Sequence, residues 1–253
     1  MRLEEAPGIE LRNSSLEFLV VVIHGARLLM WCGRDMLAQI QLPDVQLGVV
    51  EADEVRFALV DEPLAVLMDE VCERKRREFT VESLAEAEPT RAVRAMFRAW
   101  GVDPSKYRPS SEALLRRVVQ GKGLYRVSNL VDIGNLGSIE TGWPYGCYDR
   151  SRIAPPIVFR HGAPGEAYEG IGKRTWHLEG RPVLADPQGP FGSPISDSTR
   201  SMIAEGARDV LMVIYTPSGA SEQELQSAMA RLAKRLTQFA DAHATRSSIV
   251  ARL

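Results

Sequence analysis

The chain has 253 residues, of which 45% are hydrophobic and 25% charged, and its formal net charge is −2. These values are ordinary for a globular protein large enough to bury its own core. Proteins that rely on nonspecific phosphate contacts are usually basic overall, so any contact with nucleic acid would have to be local. The three cysteines and four histidines are scattered, which excludes a disulfide framework and predicts no metal site. No phosphate loop or dinucleotide fingerprint is present, so no cofactor is expected.

Residues 18–32 form the most apolar stretch, which is too short and too interrupted by His24 and Arg27 to span a bilayer. Its acidic flanks do not fit a secretory signal, which begins with positive charge. The stretch is therefore a sheet strand or a buried helix. Because it lacks a clear amphipathic period, Met36 is an alternative start of translation. We expect a cytoplasmic protein with no membrane association.

Residues 45–51 and 54–60 are predicted to form two strands around a turn at Ala52 and Asp53. Apolar residues at helical spacing follow Pro63 and predict a helix that ends in the basic run 74–77. A second helix is predicted over residues 89–100. Its arginines share one face: Arg91, Arg94 and Arg98. That face could contact a phosphate backbone, although a solvated surface is the commoner reason for such a stripe.

Ser110 or Ser111 is predicted to cap the next helix, with Glu112 in the first turn, where the helix dipole favours an acid. The following helix, predicted over residues 129–140, carries small residues on adjacent turns: Gly134, Gly137 and Ser138. Because glycine costs helix stability, either another element or a ligand should pack against the backbone there.

Beyond residue 149 the pattern changes to short strands at 157–160 and 182–185, with a glycine-rich hairpin region between them. Residues 210–215 form a continuous apolar run, which is typical of a buried strand. Ser221 and Glu224 form a capping box that opens the last helix, predicted over residues 221–243. Together these elements predict a single α+β domain in which helices pack on a mixed β-sheet.

The stretch 108–149 contains the most specific text of the chain, in which VDIGN is followed by GWPYGCYD. It resembles the B3/B4 domain of the phenylalanyl-tRNA synthetase β subunit, and especially stand-alone proteins that consist of little else. The synthetase text reads V-D-x-T-N, then Gly-x-Pro, then His-Ala-Phe-Asp. The matching positions are Val131, Asp132, Gly134, Asn135, Gly142, Pro144, Gly146, Cys147, Tyr148 and Asp149. Because the resemblance begins near Leu42, we expect an N-terminal extension, 1–41, and a B3/B4-like domain, 42–253.

In the synthetase this domain hydrolyses tRNA mischarged with tyrosine, and the resemblance transfers those roles only in part. Asn135 matches the motif asparagine, but Gly134 replaces the threonine and Gly146 replaces the histidine. A pocket without those side chains cannot reject phenylalanine through an unpaired buried polar group, so tyrosyl-tRNA is not the expected substrate. Cys147 stands at the motif alanine, and no histidine near it in sequence could activate it as a nucleophile.

The stand-alone pattern offers a polar set as the candidate ligand-binding site. Its members are Arg108, Ser110, Ser111, Glu112, Asp132, Asn135, Tyr145, Asp149, Asp197 and Arg200. Helix capping would explain the two serines and Glu112 without a ligand, and a hydrogen bond within the loop would explain Asp132 and Asp149. Asn135 is the strongest candidate, because its amide has no propensity reason to stand in mid-helix. We expect the Ser110 helix start, Asn135 and the loop 145–149 to line one cleft.

Two functional hypotheses stay open from the sequence. The first is a stand-alone domain that binds a tRNA 3′ end or a small amino-acid-like ligand and hydrolyses mischarged aminoacyl-tRNA in trans. The second is a noncatalytic RNA- or ligand-binding module that kept the fold and lost the chemistry. A full aminoacyl-tRNA ligase is excluded, because no adenylate-forming domain is recognisable, and DNA is not an expected partner. The catalytic residues and the oligomeric state are not predicted.

Overall fold

The computed structural model describes residues 18–23, 26–31 and 36–252. The strands are β1 (Phe18–Ile23), β2 (Ala26–Trp31), β3 (Leu37–Ile40), β4 (Val45–Asp53), β5 (Tyr145–Asp149), β6 (Ile157–His161), β7 (Ala167–Glu169), β8 (Thr175–His177), β9 (Pro182–Asp186), β10 (Gly189–Gly192), β11 (Val210–Pro217) and β12 (Ala244–Ala251). The helices are α1 (Glu62–Glu78), α2 (Val81–Glu86), α3 (Glu88–Ala99), α4 (Ser110–Val119), α5 (Asn129–Thr141) and α6 (Glu222–Ala240), and a 3₁₀ turn covers Arg150–Arg152.

Two four-stranded sheets form the centre of the molecule. One is antiparallel with the order β12-β4-β11-β5, and the other has the order β10-β9-β6-β3. In the second sheet β3 runs parallel to β6, while the remaining pairs are antiparallel, so this sheet is mixed. Helices pack on the first sheet, with α6 on β4, α5 on β5 and α3 on β11. The prediction of an α+β domain with a mixed sheet is confirmed.

The interior between the two sheets is rich in aromatic rings. The ring of Phe159 on β6 lies 5.4 Å from that of Tyr215 on β11, and Tyr148 on β5 meets Phe191 on β10 edge-on at 5.1 Å. All eight residues of β11 are buried, which explains the continuous apolar run that predicted this strand. Tyr148 and Tyr215 nevertheless bring two hydroxyl groups into this core, and each of them needs a hydrogen-bond partner.

The second predicted strand, over residues 54–60, is wrong. Strand β4 extends through Asp53, and Glu54 then takes a left-handed conformation with φ of 54°, which ends the strand. The following segment bonds to other parts of the chain, as in the contact from the Val55 amide to the Arg208 carbonyl at 2.7 Å. Alternation of apolar and polar residues alone does not reveal such a break.

Helix boundaries agree more closely with the sequence. The capping box of Ser221 and Glu224 opens α6 as predicted. This helix ends at Ala240, however, because Asp241 adopts the left-handed conformation, and the edge strand β12 follows. The sequence did not predict β12. Its face is half-exposed, so its pattern lacks the apolar alternation that marks a strand.

The small residues of α5 pack against a protein element. A Cβ atom built on Gly137 would lie 2.8 Å from the Tyr145 ring, so glycine lets β5 approach the helix backbone. Ser128 caps the start of α5, and Gly142 ends it with φ of 77°. The sequence left open whether another element or a ligand packs against this helix backbone, and the structure places strand β5 there.

The apolar stretch near the N-terminus contains the antiparallel pair β1 and β2. Strand β3 begins at Leu37, next to Met36, and pairs with β6 in the mixed sheet. The division of the chain into 1–41 and 42–253 stays a prediction, as does Met36 as an alternative start of translation. Within the ranges that the structure describes, no helix is long and apolar enough to cross a membrane.

Candidate functional site

A pocket of about 490 Å³ opens beside α4. Its walls come from α4, α5, the first residue of β5 and the loop that follows β10. The residues lining it are Arg108, Ser110, Ala113, Leu114, Arg116, Arg117, Gln120, Lys122, Tyr125, Val131, Asn135, Tyr145, Ile171, Ser193, Ile195, Ser196 and Asp197. A pocket of this size suits a small molecule or the end of a longer chain.

Four cationic side chains lie along this pocket: Arg108, Arg116, Arg117 and Lys122. The Arg117 guanidinium stacks 3.9 Å above the Tyr125 ring, which holds it in place. Arg108 reaches the Glu112 carboxylate at 3.5 Å. Among the residues described, Arg116 and Lys122 form no ion pair, so their positive charge is available to an anionic ligand.

Asp197 contributes a carboxylate to the same pocket. Its Oδ1 atom accepts hydrogen bonds from the Tyr148 hydroxyl at 2.8 Å and the Ser193 main-chain N–H at 3.0 Å. The Tyr148 hydroxyl also forms a hydrogen bond with the Tyr215 hydroxyl at 3.0 Å. The two buried hydroxyl groups and the carboxylate are therefore linked in one series of hydrogen bonds. No residue in the described part of the chain donates a hydrogen bond to Oδ2. One carboxylate oxygen is thus fixed, and the other is without a partner.

Burial is the main influence on this carboxylate. It raises the pKa of Asp197 from 3.8 to about 7, although the bonds from Ser193 and Tyr148 act in the opposite direction. The pKa values of Tyr148 and Tyr215 are also raised well above their ordinary range by burial and by the negative charge of Asp197. Both tyrosines therefore stay protonated and can donate hydrogen bonds throughout the neutral range.

Two glycines make room for the Tyr148 ring. A Cβ atom on either Gly146 or Gly192 would overlap this ring or its hydroxyl. Gly146 stands where the resembling motif has histidine, and Tyr148 stands where it has phenylalanine. The two differences are therefore linked in space, because the tyrosine hydroxyl occupies the volume that a side chain at position 146 would need. Relative to the motif, this chain therefore lacks the histidine side chain and has instead the Tyr148 hydroxyl, which donates a hydrogen bond to Asp197.

Asn135 and Ser110 also line the pocket. In the part of the chain that is described, the Asn135 side chain forms no hydrogen bond, so its amide remains available to a ligand. The Ser110 hydroxyl is buried and has no partner there either. The capping prediction is wrong for both serines. The Ser110 N–H bonds to the Pro194 carbonyl at 3.0 Å, the helix cap falls on Pro109, and a proline side chain has no oxygen to offer.

The structure brings together Arg108, Ser110, Asn135, Tyr145 and Asp197 from the predicted set. Residues 145–149, expected to be a loop, form strand β5, so its side chains alternate between the two faces and only Tyr145 reaches the pocket. Of the segment 145–149 that was expected to line the cleft, the pocket contains Tyr145 alone. The functional role of these residues stays a prediction.

The other members of the set lie outside the pocket lining. Ser111 is buried within α4, and Glu112 forms a two-pronged ion pair with Arg94 at 2.7 and 2.8 Å. This pair also accounts for Arg94, which is neither part of a solvated stripe nor free to meet phosphate. The short distances and the burial of Glu112 make it a structural link between α3 and α4.

Asp132, Asp149 and Arg200 also have structural partners. Asp132 accepts the Val127 N–H at 3.0 Å in the turn before α5. Asp149 accepts two bonds from Ser151, at 3.0 Å from the N–H and 2.6 Å from the hydroxyl. The Arg200 guanidinium is held by the Asp186 carboxylate at 3.0 and 3.1 Å. Each of these three side chains therefore has a partner within the fold.

Cys147 does not have the environment of a nucleophile. Burial and the nearby Asp197 charge both raise the pKa of its thiol, which opposes formation of the reactive thiolate. Within the described residues there is also no group of three or more histidine, cysteine or acidic side chains that could hold a metal ion. The pocket lining offers hydrogen-bonding groups, cations and one carboxylate.

Sequence reasoning missed three pocket cations, on α4 and just after it, and the contact between Tyr148 and Asp197. Arg116, Arg117 and Lys122 form a local basic cluster in a chain of net charge −2, and that contrast was a usable signal. The paired changes at Gly146 and Tyr148 were visible too, but only coordinates show that they share one volume. Ile171 reaches the pocket from the loop after β7, and no local pattern predicts such a contact.

Residues 92–251 match the family model of the B3/4 domain. Curated relatives are phenylalanine–tRNA ligase beta subunits. The one from Streptomyces avermitilis is 36% identical over 94 residues, covering 36% of this chain and 11% of the relative. The one from Xanthomonas euvesicatoria is 32% identical over 117 residues, or 42% and 14% of the two chains. The one from Neisseria meningitidis is 28% identical over 103 residues, or 37% and 13%.

Among solved structures, an N-terminal fragment of the phenylalanyl-tRNA synthetase β subunit from Pyrococcus horikoshii is similar to this chain. The match has a TM-score of 0.41 and 13% identity, and it covers 86% of this chain and 50% of the other. The matched segments span only about an eighth of the curated relatives, so the activity of those complete subunits does not transfer with the similarity.

Proposed function

We propose that this chain, which belongs to the B3/4 domain family, binds the 3′ end of an aminoacylated tRNA in the pocket beside α4. The observation that carries the proposal is the row of cations at this pocket, of which Arg116 and Lys122 lack ion-pair partners among the described residues. The chain as a whole has a net charge of −2, so this local excess of positive charge is what can attract phosphate at the pocket.

The remaining lining fits the other parts of such a ligand. Tyr125, Ile171 and Ile195 supply apolar and aromatic surface on which a base or an aminoacyl side chain can lie. The Asn135 amide can donate and accept at once, which suits a carbonyl or a ribose hydroxyl. The volume of about 490 Å³ favours a terminal nucleoside with its aminoacyl group over a duplex. A small amino-acid-like ligand would use the same groups.

The test is a titration of fluorescently labelled tRNA at several salt concentrations. The variant Arg116→Gln/Lys122→Gln should bind at least about tenfold more weakly, and its slope of log affinity against log salt should fall by about 1–2. The matched control is Arg91→Gln/Arg98→Gln, which removes two exposed arginines on α3, outside this pocket. If the α3 variant loses affinity and the pocket variant does not, the RNA lies on α3 and the proposal fails.

Hydrolysis of mischarged aminoacyl-tRNA is the second candidate function. The observation favouring it is Asp197, because a carboxyl group whose pKa is about 7 can exchange a proton with water near neutral pH. A panel of mischarged tRNAs, each incubated with the wild type and with Asp197→Asn, tests this activity. Release of amino acid should be faster with the wild type than with the variant. Equal rates with both proteins and with buffer would restrict the function to binding.

A further inference from the structure

We infer that the Oδ2 atom of Asp197 binds the α-ammonium group of the ligand, so that the pocket accepts aminoacylated 3′ ends and discriminates against deacylated or N-acylated ones. This inference rests on the proposed function and adds to it a specific contact and a direction of selectivity. It identifies the ligand class as an aminoacyl group with a free amine.

The first support is the isolation of this carboxylate. Asp197 is the one acidic side chain among the residues that line the pocket. Its two hydrogen-bond donors, Tyr148 and the Ser193 N–H, are both uncharged, so they orient the carboxylate without neutralising it. A half-buried carboxylate gains most from a partner of opposite charge. The described part of the pocket supplies no such partner to Oδ2.

The second support is rigidity. Tyr148 is fully buried, it lies against Gly146 and Gly192, and its hydroxyl touches that of Tyr215. The hydroxyl therefore has a fixed position, and Oδ1 is fixed with it. An acceptor held in place before the ligand arrives loses little entropy on binding, which makes a single contact effective.

The third support is the charge pattern of the pocket. An aminoacylated 3′ end carries phosphate groups and an ammonium group on one molecule, and the pocket offers cations for the former and one carboxylate for the latter. A deacylated end has phosphates but no ammonium. A divalent cation is a poor alternative, because such ions take several oxygen ligands and the lining provides no second carboxylate.

The ionisation of Asp197 is consistent with this role. Burial raises the pKa of Asp197 to about 7, so this carboxyl group is costly to ionise unless a positive charge lies beside it. The ionisable groups whose pKa values the Asp197 charge raises are Cys147 and the three tyrosines Tyr148, Tyr168 and Tyr215, and none of these groups carries a positive charge. An ammonium at Oδ2 would stabilise the ionised form and lower this pKa again.

The experiment compares tRNA probes whose terminal adenosine carries alanine through a non-hydrolysable amide. One probe has a free amine, one has an N-acetylated amine, one has an N-methylated amine, and one lacks the alanine. N-methylation adds bulk but keeps the charge, so it controls for the size of the acetyl group. The wild type should bind the free and N-methylated amines at least about tenfold more tightly than the acetylated and uncharged probes.

The variant Asp197→Asn keeps an oxygen that can accept from Tyr148 and Ser193, so the local fold is conserved while the charge is lost. It should bind all four probes with similar affinity, near that of the wild type for the acetylated probe. Asp103→Asn is the matched control, because Asp103 is exposed, lies outside the pocket and also accepts a main-chain N–H. That variant should keep the full preference for the amine.

Failure of the inference can be told from failure of the proposed function. If the wild type binds every tRNA probe equally well, the inference is wrong and the RNA-binding proposal stands. If no tRNA probe binds, the proposed function is wrong. In that case the isolated nucleoside 3′-alanylamino-3′-deoxyadenosine and its N-acetyl form decide the inference alone. Equal affinity for these two nucleosides, or no binding of either, overturns it.

Discussion

Replacing Asp197 by asparagine should change how the stability of the protein depends on pH. Burial raises the pKa of this carboxyl group from 3.8 to about 7. Between these two values the native protein holds a proton that the unfolded chain has released. The free energy of unfolding of the wild type should therefore fall as the pH rises through this window, and the fall should end above about pH 7. Asparagine has no proton to lose, so the variant lacks this contribution.

The size of the effect follows from the shift in pKa. The rise in pKa from 3.8 to about 7 corresponds to about 4 kcal/mol, which is the upper limit of the stability difference that should develop between about pH 4 and pH 8. Asp197→Asn and the wild type should have similar stability at pH 4, and the variant should be the more stable one at pH 8. Urea unfolding followed by circular dichroism at several pH values measures this difference.

A second variant locates the cause of the pH dependence. Tyr148→Phe removes a hydrogen bond that lowers the pKa of Asp197, so the fall in stability should extend to higher pH than in the wild type. A stability difference between Asp197→Asn and the wild type that stays constant from pH 4 to pH 8 would refute the reasoning. The carboxyl group would then have similar pKa values in the folded and unfolded chains.

Three further outcomes are expected. Asn135→Ala should weaken binding of aminoacylated tRNA by about tenfold. The unfolding midpoint should barely move, because the Asn135 amide lacks a partner among the described residues. Unfolding of the variant with unchanged affinity per folded molecule would contradict this. Gly146→Ala should lower the free energy of unfolding by about 2 kcal/mol or more, since the added Cβ overlaps Tyr148. The control Gly219→Ala should have little effect, because the space around Gly219 is open. Equal thermal midpoints of the two variants would contradict the overlap. Glu112→Gln should destabilise the fold by about 3 kcal/mol in urea unfolding, because it removes the charge that pairs with Arg94; an unchanged unfolding midpoint would contradict this.

Helix positions were predicted well because their signals are local. The capping box at Ser221 and Glu224 acts within one turn of the chain, so residue types alone identify it. Strand ends were predicted less well. The left-handed turn at Glu54 and the half-exposed edge strand β12 depend on which segments pair across the fold. These segments are far apart in sequence, so local residue patterns do not predict the pairing.

Pocket-lining residues could be predicted where a short sequence motif marks them, and not where they depend on contacts between distant segments. Asn135 and Tyr145 were found through a short motif, and both line the pocket. The serines at the start of α4 were expected to cap it, yet the loop after β10 takes the Ser110 N–H and moves the cap to Pro109. The partnership of Tyr148 with Asp197 joins residues 49 positions apart in sequence, so only the folded chain reveals it.

The position of the RNA end is the most direct test of the account. A tRNA that carries 8-azidoadenosine at its 3′ terminus can be crosslinked to the protein by light, and mass spectrometry then identifies the modified peptide. We predict crosslinks within residues 108–125 or 193–197, which contain the cations of α4 and Asp197. Crosslinks confined to α3 or to residues 222–251 would contradict the claim that the pocket beside α4 receives the 3′ end.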